Sequence, residues 1–369
     1  MKSLIKIKNI FLAIVAFIVL CFSGCDNQNS SVTSFGSSSS ELIPAQTITS
    51  SLPMDVYVQK DKIREKVGTT PGSIKVPAGK DRYFDLTGLN SETIAEYQKE
   101  LDRLGISRVC LSMAVTDSLL KACQEAGLLS NLKVLLLPNS GELTDIKILA
   151  GLQSLEGLML GSCEGLREDF SPLAQLKNLK GIVLCRAYEL TDISFLENLK
   201  NLNIVSLPDS KNVEDFAPLA NLKKLEFLGL PNSVTDQDIQ LLQSKGILAN
   251  LKSFGLHGPC WIKDFSFLSD MKNLETLDLI ECVHFADLSV LSGSKNLFHL
   301  NLSHCHDVTD LSPLSNFEKL VFLHMSGCSH PEDIQPLAKL RKLKNLYLPG
   351  SITDQQLHWL KEKKILKNL

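Results

Sequence analysis

A short apolar pattern that recurs at a nearly fixed spacing constrains the fold of this 369-residue chain more than any other feature. The pattern, L-x-x-L-x-L-x-x-[S/C/A/P], recurs from Leu132 onward. The central residues of neighbouring copies are as far apart in sequence as Leu277 and Leu300, or one residue further apart. One step is longer, from Leu228 to Phe254. A nearly fixed period of this length predicts a solenoid, because one copy cannot bury its apolar face until its neighbours stack on it. The central residues of the copies are Leu135, Leu158, Ile182, Val205, Leu228, Phe254, Leu277, Leu300, Leu323 and Leu346.

The copies resemble the repeats of leucine-rich repeat proteins. "LTDISFLENLKNLNIVSL" (190–207) and "VTDLSPLSNFEKLVFLHM" (308–325) are similar to bacterial, internalin-type repeats. The longer copies at 115–132, 234–251 and 352–369 resemble the cysteine-containing subtype, which carries a true helix. The resemblance implies a bacterial leucine-rich repeat protein with an α/β solenoid fold of about eleven rungs. A curved parallel sheet would form its concave face, and short helices and turns its convex face.

An aspartate follows the strand at an equivalent position in most copies. An aspartate at the start of a turn accepts hydrogen bonds from backbone N–H groups, as a helix N-cap does. We therefore expect structural turn caps rather than ligands. These aspartates are Asp145, Asp192, Asp215, Asp264, Asp287, Asp310 and Asp333.

The N-terminus predicts export. Three lysines precede the apolar run at 10–20, which is too short to span a bilayer comfortably. The following "FSGC" resembles a bacterial lipobox, which implies that Cys25 is acylated and begins the mature chain. The alternative is an ordinary secretory signal with a chance cysteine.

Four segments follow from these patterns. We expect residues 1–24 to be a signal peptide, of the lipoprotein type if the lipobox resemblance holds, and the Ser-rich residues 25–51 to be a disordered tether. Residues 52–105 form an N-terminal flank that ends in a capping helix, with Gly105 as the expected C-cap. Residues 106–369 form the leucine-rich repeat domain.

The stretch "HCHD" (304–307) contains residue types that bind metals. Cys305, however, lies one repeat period after Cys282 and one period before Cys328, at a small core position of the repeat. No metal site or cofactor is predicted, because the chain has no C-x-x-C pair. A disulfide between neighbouring rungs is conceivable but not favoured. Cys110 and Cys185 fall at outward positions, where we expect more reactive thiols.

Outward-facing strand residues define a candidate binding surface in two parts. The early rungs present an apolar patch that the pattern leaves exposed, and such patches usually mark contact surfaces. The later rungs present polar and aromatic side chains, for which a solvated face is the alternative. The early set is Leu136, Met159, Val183 and Ile204. The later set is His257, Asp278, His299, Asn301, His304, Phe322, His324, Asn345 and Tyr347.

The leading hypothesis is a lipid-anchored protein of the bacterial cell envelope that binds a protein or peptide through its concave face. The balance of 38 basic and 41 acidic residues does not favour nucleic acid as a partner. One alternative is an envelope adhesion or structural protein that acts by avidity. A further alternative is an enzyme or metal-binding protein that uses the Asp278, His299 and His324 region.

Overall fold

The computed structural model describes residues 45–60, 63–77, 82–167, 169–363 and 365. The chain divides into two compact units, Met1–Ile204 and Val205–Leu369. The predicted signal peptide, Cys25 and most of the predicted tether lie outside the described residues. Within the described ranges, no helix is both long and apolar enough to cross a membrane.

In the first unit, seven strands form a sheet in the order β9-β8-β7-β6-β5-β2-β3, and β1 pairs separately with β4. The strands from β5 to β9 are parallel, and β2 is antiparallel to both of its neighbours. The elements are β1 (Gln46–Ser50), β2 (Asp55–Lys60), β3 (Ile63–Thr69), β4 (Gly72–Val76), β5 (Arg82–Asp85), α1 (Ile94–Leu104), β6 (Arg108–Cys110), α2 (Asp117–Glu125), β7 (Val134–Leu137), β8 (Gly157–Leu160) and β9 (Gly181–Leu184). The 3-10 helices are Lys147–Gly151, Cys163–Gly165, Ser171–Gln175 and Ser194–Leu196.

The N-terminal flank differs from the sequence prediction at one point. β1 falls inside the segment predicted to be a disordered tether, and it pairs antiparallel with β4. Its Ile48 is fully buried, so these few residues add apolar contacts that their polar composition did not indicate. The helix α1 ends at Gly105 in the left-handed conformation, at φ 64°, which a glycine adopts without steric cost.

In the second unit, six parallel strands follow the order β16-β15-β14-β13-β12-β11. β10 (Ile204–Ser206) lies at the division between the units. The elements are β11 (Phe227–Leu230), α3 (Asp236–Ser244), β12 (Ser253–Leu256), β13 (Thr276–Leu279), β14 (His299–Asn301), β15 (Phe322–His324), β16 (Asn345–Tyr347) and α4 (Asp354–Glu362). The 3-10 helices are Ala217–Asn221, Leu248–Asn250, Ser266–Asp270, Leu288–Leu291, Ser312–Asn316 and Gln335–Lys339.

The strand register explains the period of the sequence. Leu277 lies opposite Leu300, and Leu300 lies opposite Leu323, so equivalent residues of successive repeats stack as neighbours. These leucines are fully buried. Eleven strands, β6 to β16, follow one another at one per repeat in the described residues. The predicted leucine-rich repeat fold is confirmed. The longer copies carry the α-helices α2, α3 and α4, where the shorter copies carry 3-10 helices.

Aspartates begin the turn in the repeats whose strand is followed by a 3-10 helix rather than an α-helix. Each predicted capping aspartate accepts a hydrogen bond from the backbone N–H two residues ahead. The sequence analysis missed Asp169, which accepts hydrogen bonds from both the backbone N–H and the hydroxyl of Ser171. Its repeat is longer than the usual period by one position, which shifts Asp169 out of the regular spacing.

A second backbone signature recurs in the second unit. Gly258, Glu281, His304 and Gly327 follow one another at one repeat period, and all adopt positive φ. This left-handed residue turns the chain just after the strand. The next residue is a buried cysteine in three of these four repeats, which explains why a small side chain is required there.

Candidate functional site

The candidate site lies on the outer face of the second unit, which carries the strand residues that alternate with the buried leucines. Two columns of side chains cross β13 to β16 on this face. The first column is Thr276, His299, Phe322 and Asn345, and the second is Asp278, Asn301, His324 and Tyr347. We call these eight residues the β13–β16 face.

Exposure rises steadily along the β13–β16 face. Thr276 and Asp278 are fully buried, and His299 and Asn301 on β14 are nearly so. Phe322 and His324 on β15 are half-buried, whereas Asn345 is exposed and Tyr347 is 47% exposed. A ligand can therefore contact β15 and β16 directly, whereas the side chains of Thr276 and Asp278 on β13 are closed to solvent.

A buried acid–imidazole pair occupies the closed end of this face. His299 Nε2 lies 3.1 Å from Asp278 Oδ1. The second carboxylate oxygen, Asp278 Oδ2, has no hydrogen-bond partner within the described part of the chain, and neither has Thr276 Oγ1. An unsatisfied buried carboxylate oxygen is costly, so this position favours an additional hydrogen-bond donor.

His257 lies beside this pair, just after the end of β12. Burial lowers the pKa of His257 to about 4, and the charge of Asp278 only partly opposes this shift. The imidazole is therefore neutral at pH 7. Its ring lies over Gly255, where an added Cβ would be 2.7 Å from His257 Nε2. A larger residue at this strand position would therefore require the ring of His257 to move.

The open end of the face is aromatic. The rings of His299 and Phe322 stack with centroids 4.2 Å apart and planes inclined by 5°. Tyr347 packs at 4.6 Å from His324 and 5.7 Å from Phe322, again between ring centroids. Burial and the neighbouring His299 lower the pKa of His324, so its ring is also uncharged at pH 7.

Two predicted surface residues have local structural roles as well. Asn301 Oδ1 accepts hydrogen bonds from the backbone N–H and the hydroxyl of Ser303, which shape the turn after β14. His304 is exposed and adopts positive φ at 61° in the same turn. Its ring is 6.3 Å from that of His306, in an edge-to-face arrangement.

The early rungs differ from the expectation of an exposed apolar patch. In the first unit the structure places Leu136, Met159, Val183 and Ile204 on the outer face, but each is at most 3% exposed. Cys110 and Cys185 are buried as well, so their expected exposure is also not observed. Strand alternation alone does not determine the exposure of these side chains.

The chemistry available at the closed end is limited. In the part of the chain that the structure describes, no group of three or more His, Cys, Asp or Glu side chains is placed to hold a metal ion. The same residues include no serine, threonine or cysteine whose side chain hydrogen-bonds to His299.

No protein-family model and no curated protein matches this chain. Solved structures are similar to it at low identity. An internalin (inlF) of Listeria monocytogenes is 20% identical, with 72% of this chain and 95% of that chain covered at a TM-score of 0.45. A leucine-rich repeat protein of Leptospira interrogans is 17% identical, with 73% of each chain covered and a TM-score of 0.44. Internalin C2 of Listeria monocytogenes is 22% identical, with 68% and 83% covered and a TM-score of 0.32.

Proposed function

We propose that this leucine-rich repeat chain is a non-catalytic module that binds a protein or peptide through the β13–β16 face. The observation that carries the proposal is the gradient from the exposed Tyr347 to the buried Asp278. Aromatic side chains at the open end supply contact area at a low cost in side-chain entropy. The proposal excludes the early rungs, because their outer-face side chains are enclosed.

We propose that a basic side chain of the partner reaches the closed end when the side chains that cover Asp278 move aside, because Asp278 is fully buried in the unbound protein. A lysine ammonium group carries three donors and no acceptor, and Asp278 Oδ2 and Thr276 Oγ1 both lack a donor within the described residues. The apolar stem of a lysine packs well against the stacked rings of His299 and Phe322. His257 and His324 are neutral at pH 7, so they do not repel the incoming charge.

We propose that the module is held at the bacterial cell envelope by an acylated Cys25. The "FSGC" motif after the apolar segment supports this location. Metabolic labelling with a fatty acid tests it. We expect label on the wild-type chain, and no label and release from the membrane fraction for Cys25→Ser. Equal labelling of both chains would refute the anchor.

Peptide selection tests the binding proposal. A random displayed peptide library is selected on the purified wild-type protein, and the enriched peptides are then tested for binding to a His324→Ala/Tyr347→Ala double variant. We expect enriched peptides that contain lysine or arginine, bind the wild type and lose binding to the double variant. The matched control is Glu318→Gln, which changes an exposed residue in the turn after the 3-10 helix Ser312–Asn316. Peptides that bind the wild type and the double variant equally well would refute the proposed surface. Thermal melts of all three proteins show whether each is folded.

A further inference from the structure

Two buried cysteines of neighbouring repeats approach each other in the second unit. Cys260 lies in the turn after β12 and Cys282 in the turn after β13, and their sulfur atoms are 2.8 Å apart. Both side chains are buried. Even two non-bonded carbon atoms rest about 3.5 Å apart, and sulfur is larger. The separation is therefore too short for two thiols in ordinary contact.

The next two repeats provide an internal comparison. Cys305 and Cys328 follow Cys282 at the same repeat position. Each of their thiols donates a hydrogen bond to a backbone carbonyl, to Leu279 O at 3.0 Å and to Leu302 O at 2.9 Å respectively. Cys282 has a weak carbonyl contact at 3.9 Å and faces the sulfur of Cys260 instead.

The sequence explains why Cys260 reaches this position. Pro259 lies one repeat period before Cys282 but is exposed, and Cys260, one position further along the chain, is buried instead. The left-handed Gly258, at φ 84°, turns the chain just before Pro259. Cys260 is consequently displaced by one position along the turn and meets the cysteine of the following repeat.

We propose that Cys260 and Cys282 form a disulfide bond that ties the repeat of β12 to the repeat of β13. The two thiols lose two protons and two electrons, and one S–S bond forms. The oxidant is an external disulfide, either of a thiol–disulfide oxidoreductase or of a small thiol, which is reduced to two thiols. Because both cysteines are buried in the folded protein, the exchange takes place while the chain folds.

Either cysteine attacks the external disulfide as its thiolate, and the other then displaces the small thiol or the enzyme from the mixed disulfide. Export, as the N-terminus predicts, delivers the chain to a compartment where such a bond persists.

The cross-link lies next to the candidate site. Cys260 follows His257 closely in the chain, and Cys282 follows Asp278 in the same way. Tying these two turns together restrains β12 and β13 relative to each other, and these strands position the buried polar groups. The disulfide thus preorganises the closed end of the face.

Peptide mapping tests the disulfide directly. The full-length protein is folded in a buffer that contains reduced and oxidised glutathione, alkylated without reduction in denaturant, and digested with trypsin. Cys260 and Cys282 fall in different tryptic peptides, 253–263 and 273–295, and each peptide contains one cysteine. We expect these peptides to be recovered as a linked pair, and peptides 296–319 and 320–339 to carry alkylated Cys305 and Cys328. Recovery of Cys260 and Cys282 as alkylated thiols, or a link from Cys282 to Cys305, would overturn the proposal.

A melting experiment provides a second readout. Reducing agent should lower the melting temperature of the wild-type protein by several degrees and leave that of Cys260→Ser unchanged. The control Cys328→Ser should respond to the reducing agent as the wild type does. An equal effect of reduction on Cys260→Ser and on the wild type would contradict the proposed pair. The peptide map uses the wild-type chain, so it tests the Cys260–Cys282 disulfide even if a variant does not fold.

Discussion

His299 Nε2 lies 3.1 Å from Asp278 Oδ1, and both side chains are shut off from solvent on neighbouring strands. The pair orients the imidazole against Phe322 and satisfies one carboxylate oxygen. The other oxygen remains without a donor in the described part of the chain. This relationship supports both the proposed binding chemistry and the first prediction.

Removing the imidazole should destabilise the second unit. In His299→Ala, neither carboxylate oxygen of Asp278 has its donor, which costs about 1–3 kcal/mol in the free energy of unfolding. His299→Gln retains a side-chain donor and should cost less. The control is His358→Ala on α4, where the histidine is largely exposed. Urea denaturation measures all three, and an equal loss for His299→Ala and His358→Ala would show that the buried pair contributes nothing.

Acid should destabilise the protein through His257. Its pKa is about 4 in the folded state and near its ordinary value of 6.5 in the unfolded state, so the unfolded state binds more protons between these values. The stabilisation is fully present above pH 6.5 and is lost as the pH falls towards 4. One pKa unit corresponds to about 1.4 kcal/mol, so the loss is on the order of 3 kcal/mol.

The variant His257→Gln isolates this effect, because glutamine does not titrate. We expect the free energy of unfolding of the wild type to fall more steeply than that of the variant between pH 6.5 and 4. Identical slopes for the two proteins would mean that His257 takes up its proton as readily in the folded state as in the unfolded state.

A methyl group at Gly255 should disturb the same site. The added Cβ would lie 2.7 Å from His257 Nε2, and the buried ring has little room to move. We expect Gly255→Ala to lower the stability by about 1–3 kcal/mol, as overpacking does. Gly350→Ala is the matched control, because no atom lies within 4 Å of the added Cβ. Thermal melts that show the same change for both variants would contradict the close approach.

Loss of a turn cap should destabilise the fold without affecting the outer face. Asp287 accepts hydrogen bonds from the backbone N–H and the hydroxyl of Ser289, each at 2.8 Å. We expect Asp287→Ala to cost about 1 kcal/mol and Asp287→Asn to cost less, since asparagine also caps well. Urea denaturation measures the change, with Glu318→Gln as the neutral control. An unchanged free energy of unfolding for Asp287→Ala would contradict the structural role of this aspartate.

Repeat spacing predicted much of the fold, because each repeat depends on the same stacking contacts. The offset of one period between Leu277 and Leu300 indicates that both occupy one core column, as the register shows. Asp169 was missed because its repeat is longer than the usual period. β1 was missed because its pairing with β4 is a contact between segments distant in sequence, which local composition does not encode.

The site was predicted less completely than the fold. Period and alternation place Asp278 and His299 on neighbouring strands of one face. They do not indicate which atoms meet, or that the exposure of this face rises from β13 to β16. Cys260 was overlooked because it lies one position away from the cysteine column, and only the chain turn at Gly258 brings it to Cys282.

The most direct test of the central claim is a double-mutant cycle between Asp278 and a basic residue of a selected peptide. Isothermal titration calorimetry measures the affinity of a lysine-containing peptide and of its norleucine counterpart for the wild type and for Asp278→Asn. If the ammonium group binds Asp278, replacing lysine with norleucine should weaken binding of the peptide to the wild type at least tenfold, or about 1.4 kcal/mol. The same replacement should weaken binding to Asp278→Asn less than twofold. An equal loss in both proteins would contradict the claim that the β13–β16 face recognises a basic side chain through Asp278.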